Sequence, residues 1–228
     1  MPNLTASEFT TRLAALGSDD SFAGVRMGDI FKLGKEFSMM PVAEIERLME
    51  SPVQKARVGA LSIMGQCAKG RKCTPERLAE LYNLYIRRHD RIDDWGLVDL
   101  AAYYVVGQYL ADKPRDILYK LARSADQWER RTAIVATAHF IMKLKQVDDT
   151  FAIAEILVRD PEKFVQTGAG WMLRAAGDVD RPALLAFLDK HAAVMPRVML
   201  RYSIEKLDKQ QRDQYLGMKD EIAEARTK

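Results

Sequence analysis

The chain has 228 residues, of which 48% are hydrophobic, 29% charged and 8% aromatic, which excludes a disordered chain and leaves enough apolar mass for a sizeable core. Lys and Arg number 35 against 32 Asp and Glu, a net charge of +3, too mild to prove a nucleic-acid partner and too small to exclude one. Two cysteines, Cys67 and Cys73, exclude a disulfide-stapled secreted scaffold, and their spacing with no histidine nearby does not read as a zinc half-site.

Along the chain the pattern reads as helix after helix. Ala, Leu, Glu, Lys, Arg and Met dominate, and no period-two alternation bounded by turns marks a strand. The expected helices are 5–16, 27–39, 42–50, 53–69, 75–89, 95–110, 113–124, 126–144, 147–159, 161–176, 180–190, 196–206 and 208–225. Thr74-Pro75-Glu76 and Asp160-Pro161-Glu162 read as caps followed by proline at the first helical position, and Asp112-Lys113-Pro114 as a weaker version. Gly17, Gly70 and Gly177 read as stops. Loops are short and no Ser/Gly-rich linker interrupts them, so the expectation is one domain over 1–228. Met1 to Ser7 does not read as a secretory signal, and apolar runs such as Leu97 to Gly107 are too short to span a bilayer. The expectation is a soluble, cytoplasmic, monomeric protein.

A loose internal repeat joins four of these helices. Arg57, Asp99, Arg131 and Thr167 each stand in a stretch of small and then large apolar residues, at spacings of 42, 32 and 36. That is the length of a two-helix unit, and such units stack into a curved α-α superhelix whose second helices line a concave groove. Charge is uneven: residues 1–50 carry −3, 51–150 carry +5 and 151–228 carry +1.

Three places could carry chemistry. Trp95 and Asp99 are four apart and share a helix face, with Asp93 or Asp94 available as cap. Asp99 interrupts an apolar stripe, where a carboxylate is costly unless paired or lining a groove. The alternative is a rim tryptophan with a solvated aspartate. In Trp128-Glu129-Arg130-Arg131 the two arginines point about 100° apart, so one can be solvated while the other turns inward, as a surface pair or as a guanidinium fork that meets a phosphate or holds Asp99 ionised. In Gly168-Ala169-Gly170-Trp171-Met172-Leu173-Arg174, two mid-helix glycines cost roughly 1 kcal/mol each, which close helix packing would offset, with Trp171 on a packed or a groove face. His89, His139 and His191 are scattered without metal-site spacing, the eleven methionines read as core filler, and no phosphate-loop, dinucleotide, nucleophile-elbow or zincin motif occurs.

In this order, Trp95-x3-Asp99, Trp128-x-x-Arg131 and Gly170-Trp171-x-Leu173-Arg174 resemble the HEAT-like alkylpurine DNA glycosylases, the DNA alkylation repair (AlkD-type) family, over roughly residues 25 to 205. The resemblance implies an all-α superhelix of HEAT-like repeats that excises N3- and N7-alkylated purines from double-stranded DNA without metal or cofactor. It implies Asp99 as the catalytic carboxylate, Trp95 and Trp171 flanking the deoxyribose of the lesion, and Arg131 as a cation near the lesion backbone. Arg57, Lys69, Arg71, Lys72, Arg130 and Arg174 are candidates for the phosphate grip, with Arg87, Arg88 and Arg91 beside them; for at least half of these cations the bland reading of solvated helix ends is expected. The competing reading is a helical-repeat DNA- or protein-binding scaffold without catalytic activity.

Overall fold

A computed structural model describes residues 4–18 and 22–225, with side chains to residue 218. The Met1–Ser7 stretch read for a leader begins outside these residues. Among the described residues there are thirteen α-helices and no strand. They are α1 (Ala6–Ala14), α2 (Met27–Glu36), α3 (Val42–Met49), α4 (Gln54–Lys69), α5 (Pro75–Arg87), α6 (Trp95–Ala101), α7 (Asp116–Leu121), α8 (Gln127–Ala136), α9 (Asp148–Ile156), α10 (Lys163–Gly177), α11 (Arg181–His191), α12 (Arg197–Ser203) and α13 (Lys209–Ala225). Eleven of them fall within three residues of their expected bounds, because apolar periodicity marks a helix body better than its ends, while α6 and α8 stop well short of the expected 110 and 144.

Two helices depart from α geometry. Ala102–Gly107 continues α6 as a π segment, and Phe140–Leu144 is a second one beyond α8. The caps also differ in detail. Thr74 accepts from the Arg77 N–H as expected, and Gly70 ends α4. Asp160, however, accepts from the Glu162 N–H, and α10 starts only at Lys163. Helix α7 starts at Asp116, beyond the Asp112-Lys113-Pro114 signal. Each proline there belongs to the connecting turn, where its fixed φ serves as well as at a first helical position.

The helices gather into two compact units, Met1–Asp112 and Lys113–Lys228. In the first, α2, α4 and α6 pack side by side, while α3 rests on α4 and touches α1 and α5. Helix α4 is buried nearly all round, with Ala60, Leu61, Ile63 and Met64 fully enclosed. Glycine permits this: a Cβ on Gly65 would collide with the Leu100 carbonyl oxygen. Arg87 and Arg88 both reach Glu46, and Arg88 also reaches Glu50, so the acidic start of the chain absorbs part of the basic midsection. In the second unit, α8, α10 and α12 form the equivalent row. Helix α9 is tied to α7 by the Tyr119 hydroxyl, which donates to Asp149 at 2.7 Å, and to α11 by the Phe151–Phe187 ring contact. No helix among the described residues is long and apolar enough to cross a membrane.

Candidate active site

Within each unit, the rows α4–α6 and α8–α10 set the register in which the candidate residues stand. Asp94 opens α6 by accepting from the Gly96 N–H at 2.8 Å, and Asp126 opens α8 by accepting from the Trp128 N–H at 2.7 Å. Counted from these starts and from Lys163 of α10, Asp99, Arg131 and Thr167 are each the fifth helical residue. The fifth residue of α4 is Val58, buried at 6% exposure, so Arg57 does not belong in this set as the sequence alignment had placed it.

Arg57 belongs one position earlier, with Arg130 and Gln166. Its Nη1 donates to the Ser51 and Pro52 carbonyls, and its Nη2 grips both oxygens of Asp93 at 2.9 Å. Arg130 repeats the pattern: Nη1 donates to the Ser124 and Ala125 carbonyls, and Nε and Nη2 grip Asp160 at 2.6 and 3.2 Å. Gln166 donates to the Asp160 and Pro161 carbonyls at the same offsets. These side chains clasp the loop that feeds their own helix, and the two arginines add an aspartate from the next repeat. A guanidinium fork committed to a carboxylate and two carbonyls is no longer available to a phosphate. Arg174 is likewise ion-paired, with Glu205. Arg57, Arg130 and Arg174, expected as candidates for the phosphate grip, are thus engaged with partners inside the protein. Arg87, Arg88 and Arg91 are also paired with carboxylates of their own unit.

Arg131 is the more deeply placed of the adjacent pair. It is only 4% exposed, and its Nη1 donates to the Phe164 carbonyl and reaches Thr167 Oγ1 at 3.4 Å. A Cβ on Gly168 would stand 3.1 Å from that Nη1, so the glycine leaves the guanidinium its passage. Arg131 is a buried strut that fixes the first turn of α10. Of the paired arginines, this one turns inward as expected, while Arg130 sits in its clasp and is not solvated. Gly170 serves the opposite side: a Cβ there would stand 2.6 Å from the Met199 carbonyl oxygen of α12. Close packing thus accounts for both glycines. Trp171 is half-buried, one turn beyond Thr167 on the same stripe of α10.

In the first unit, Trp95 is the first residue of α6 and 47% exposed, and Asp99 is half-buried one turn later. Leu97, Val98 and Ala101 beside it are fully buried. A large apolar side chain held at a helix start and half out of the core is available to a partner, and a carboxylate one turn away adds charge.

Lys69, Arg71 and Lys72 lie around the end of α4, where with Lys35 they line an open depression of about 560 Å³. The Lys69 ammonium rests 3.9 Å over the Tyr104 ring. Arg71 and Lys72 are exposed and have no ion-pair partner among the described residues. Cys67 lines the same depression, and burial together with the Cys67 thiol pushes Cys73 up to about 11. Among the described residues no group of three or more His, Cys, Asp and Glu is gathered as a metal site.

The model of the DNA alkylation repair enzymes matches residues 5–207. The chain belongs to the DNA alkylation repair enzyme family. A search of the curated proteins finds no match. For a member of this DNA-repair family, the Trp95–Asp99 face of α6 is the candidate site in the first unit; in the second unit, taken by itself, Arg131 and Thr167 hold the equivalent positions of α8 and α10, with Trp171 one turn beyond Thr167. The clasping arginines were missed as such because their signal, an aspartate some 30–36 residues ahead, spans two repeats. The Asp93 and Asp160 positions are the only trace of it in the sequence.

Proposed function

We propose that this protein is a monofunctional DNA glycosylase that hydrolyses the N-glycosidic bond of N3- and N7-alkylated purines, such as 3-methyladenine and 7-methylguanine, in base excision repair. The observation that carries the reading is Asp99, a half-buried carboxylate one turn from an exposed tryptophan on α6, in a chain of the alkylation-repair family. An N3- or N7-alkylpurine already bears positive charge, so its leaving group needs no general acid. What remains is to stabilise the cation developing on the sugar and to direct water at C1′, and one ionised carboxylate can do both.

Trp95 and Trp171 supply indole faces, each worth about 0.5–2 kcal/mol toward a cationic lesion or an oxocarbenium-like sugar. Arg131, a buried fixed charge that also orders the start of α10, is the cation near the lesion backbone. Lys69, Arg71 and Lys72 supply the salt-dependent grip on the duplex. On this reading residues 1–228 act as one HEAT-like array, a monomer in the cytoplasm, with no metal or cofactor in the reaction.

The test is incubation of the purified protein with methylated duplex DNA and chromatography of the released bases. Free 3-methyladenine or 7-methylguanine is expected, with undamaged purines retained. Duplex binding without release of any base would reduce the protein to a non-catalytic relative.

A further inference from the structure

Cys67 and Cys73, the two cysteines of the chain, are both free thiols and flank the turn that leaves α4. Two successive backbone turns fold one toward the other. The Gly70 N–H donates to the Cys67 carbonyl at 2.8 Å, and the Cys73 N–H donates to the Gly70 carbonyl at 3.1 Å. The side chains close the same loop, with the two thiols in hydrogen-bond contact. Cys73 Sγ also lies 3.8 Å from the Thr74 carbonyl, at the cap of α5. Sulfurs in contact need only a short approach to reach a bond of about 2.05 Å.

The two thiols differ in access. Cys67 is 2% exposed, at the wall of the open depression beyond α4, and Cys73 is half-buried. That depression is basic, with Lys35, Lys69, Arg71 and Lys72 around it. The only acid lining it, Glu36, is bound to Arg12 at 2.6 Å. Arg77 adds positive charge near the Cys73 sulfur. A small anion is drawn to such a surface.

We propose that Cys67 and Cys73 form a redox-active dithiol site that exchanges with an anionic low-molecular-weight disulfide and closes into a Cys67–Cys73 disulfide. Cys73, the more open thiol, loses its proton and attacks one sulfur of the small disulfide. A mixed disulfide forms, and the first small thiolate leaves and takes up that proton. Cys67 then loses its proton and attacks the Cys73 sulfur. The bond between the protein sulfurs forms, the mixed disulfide breaks, and the second small thiol leaves with that proton. One small disulfide is thereby reduced to two thiols, and two protein thiols are oxidised to one disulfide. The loop so closed, Cys67 to Cys73, contains Lys69, Arg71 and Lys72, the cations assigned to the duplex grip. Burial, and after it the Cys67 thiol, holds Cys73 up at about 11, so the exchange is slow near neutral pH and is best followed to equilibrium. The inference does not depend on the glycosylase reading.

The experiment equilibrates the full-length protein in buffers of reduced and oxidised glutathione at mildly alkaline pH, quenches with acid and measures the intact mass. The same chain in concentrated urea is the reference. The folded protein is expected to lose about 2 Da, the mass of two hydrogens, and to retain no glutathione. The effective concentration of one thiol at the other should exceed that in urea by about tenfold or more. Glutathione retained at equilibrium in place of the internal bond, or equal effective concentrations in buffer and in urea, would overturn the proposal. Cys67→Ser should stop at one glutathione, mapped to Cys73, and a variant that takes up none would remove Cys73 as the thiol of entry. The wild-type comparison decides on the pair however that variant folds. Opening rates with oxidised glutathione and with the cationic disulfide cystamine, each divided by its rate with a free model thiol, should favour the anion about threefold or more at low salt. Equal ratios, or a preference for cystamine, would refute the anionic class.

Discussion

Gly168 of α10 stands where a side chain would meet the Arg131 guanidinium of α8: a Cβ there would lie 3.1 Å from Nη1. The absence of a side chain at one position lets a buried cation at another cross to the Phe164 carbonyl. Two positions further on, Gly170 meets the Met199 backbone, which cannot swing aside as a guanidinium can. The two glycines should therefore differ on substitution. Gly170→Ala is expected to destabilise by about 1–3 kcal/mol through overpacking. Gly168→Ala should come closer to neutral, since the gain of about 1 kcal/mol in helix propensity offsets a small shift of a flexible side-chain end. Thermal unfolding compares them directly, and equal melting temperatures would contradict the packing argument.

The carboxylate of Asp99 is the test of chemistry. Asp99→Asn preserves shape and removes charge, so release of 7-methylguanine should fall by several orders of magnitude while duplex affinity changes little. Retained release by this variant would remove Asp99 from the mechanism.

The basic side chains of the first unit separate by their partners. Arg71 and Lys72 are free of ion pairs among the described residues, so each neutralising substitution should reduce the slope of log affinity against log salt by about 0.9. Arg57→Ala should leave the slope unchanged, because that guanidinium is already bound to Asp93. Binding titrations at several salt concentrations distinguish the two sets.

The clasps differ in depth. Asp160 has 4% of its side chain exposed and Arg130 12%, whereas Asp93 is 57% exposed. Arg130→Ala strands a buried carboxylate and should cost about 3–5 kcal/mol. Asp93→Ala loses a pair that is largely solvated on the acid side and should cost about 1 kcal/mol or less. Denaturant midpoints at constant slope provide the measurement.

Histidines set the mildly acidic response. Burial lowers the pKa of His139 below 6.5, with Lys143 and Arg115 adding to it. Burial also lowers His191, against the opposing pull of Glu155. Near and just below pH 6.5 the unfolded chain therefore binds more protons than the folded one, and stability falls as pH drops through that range. Unfolding midpoints at pH 7.5, 6.5 and 5.5 should decline. His139→Gln should decline less steeply, and an unchanged slope would show that His139 carries none of the effect.

Much of this was legible in the chain itself. Apolar spacing located all thirteen helices, because a helix buries one face and that face recurs in the sequence. The Trp95–Asp99 pair was legible for the same reason: both residues lie on one helix, and four residues make about one turn. The partners of Arg57, Arg130 and Arg131 were not legible, since each has a partner 30 or more residues away and the carbonyls among their partners carry no residue code. Nor were the π segments at Ala102–Gly107 and Phe140–Leu144, because a helical pattern specifies a face and not the winding of one turn. Local periodicity determined which elements form; only packing between repeats decided which charges are spent inside the protein and which remain for DNA.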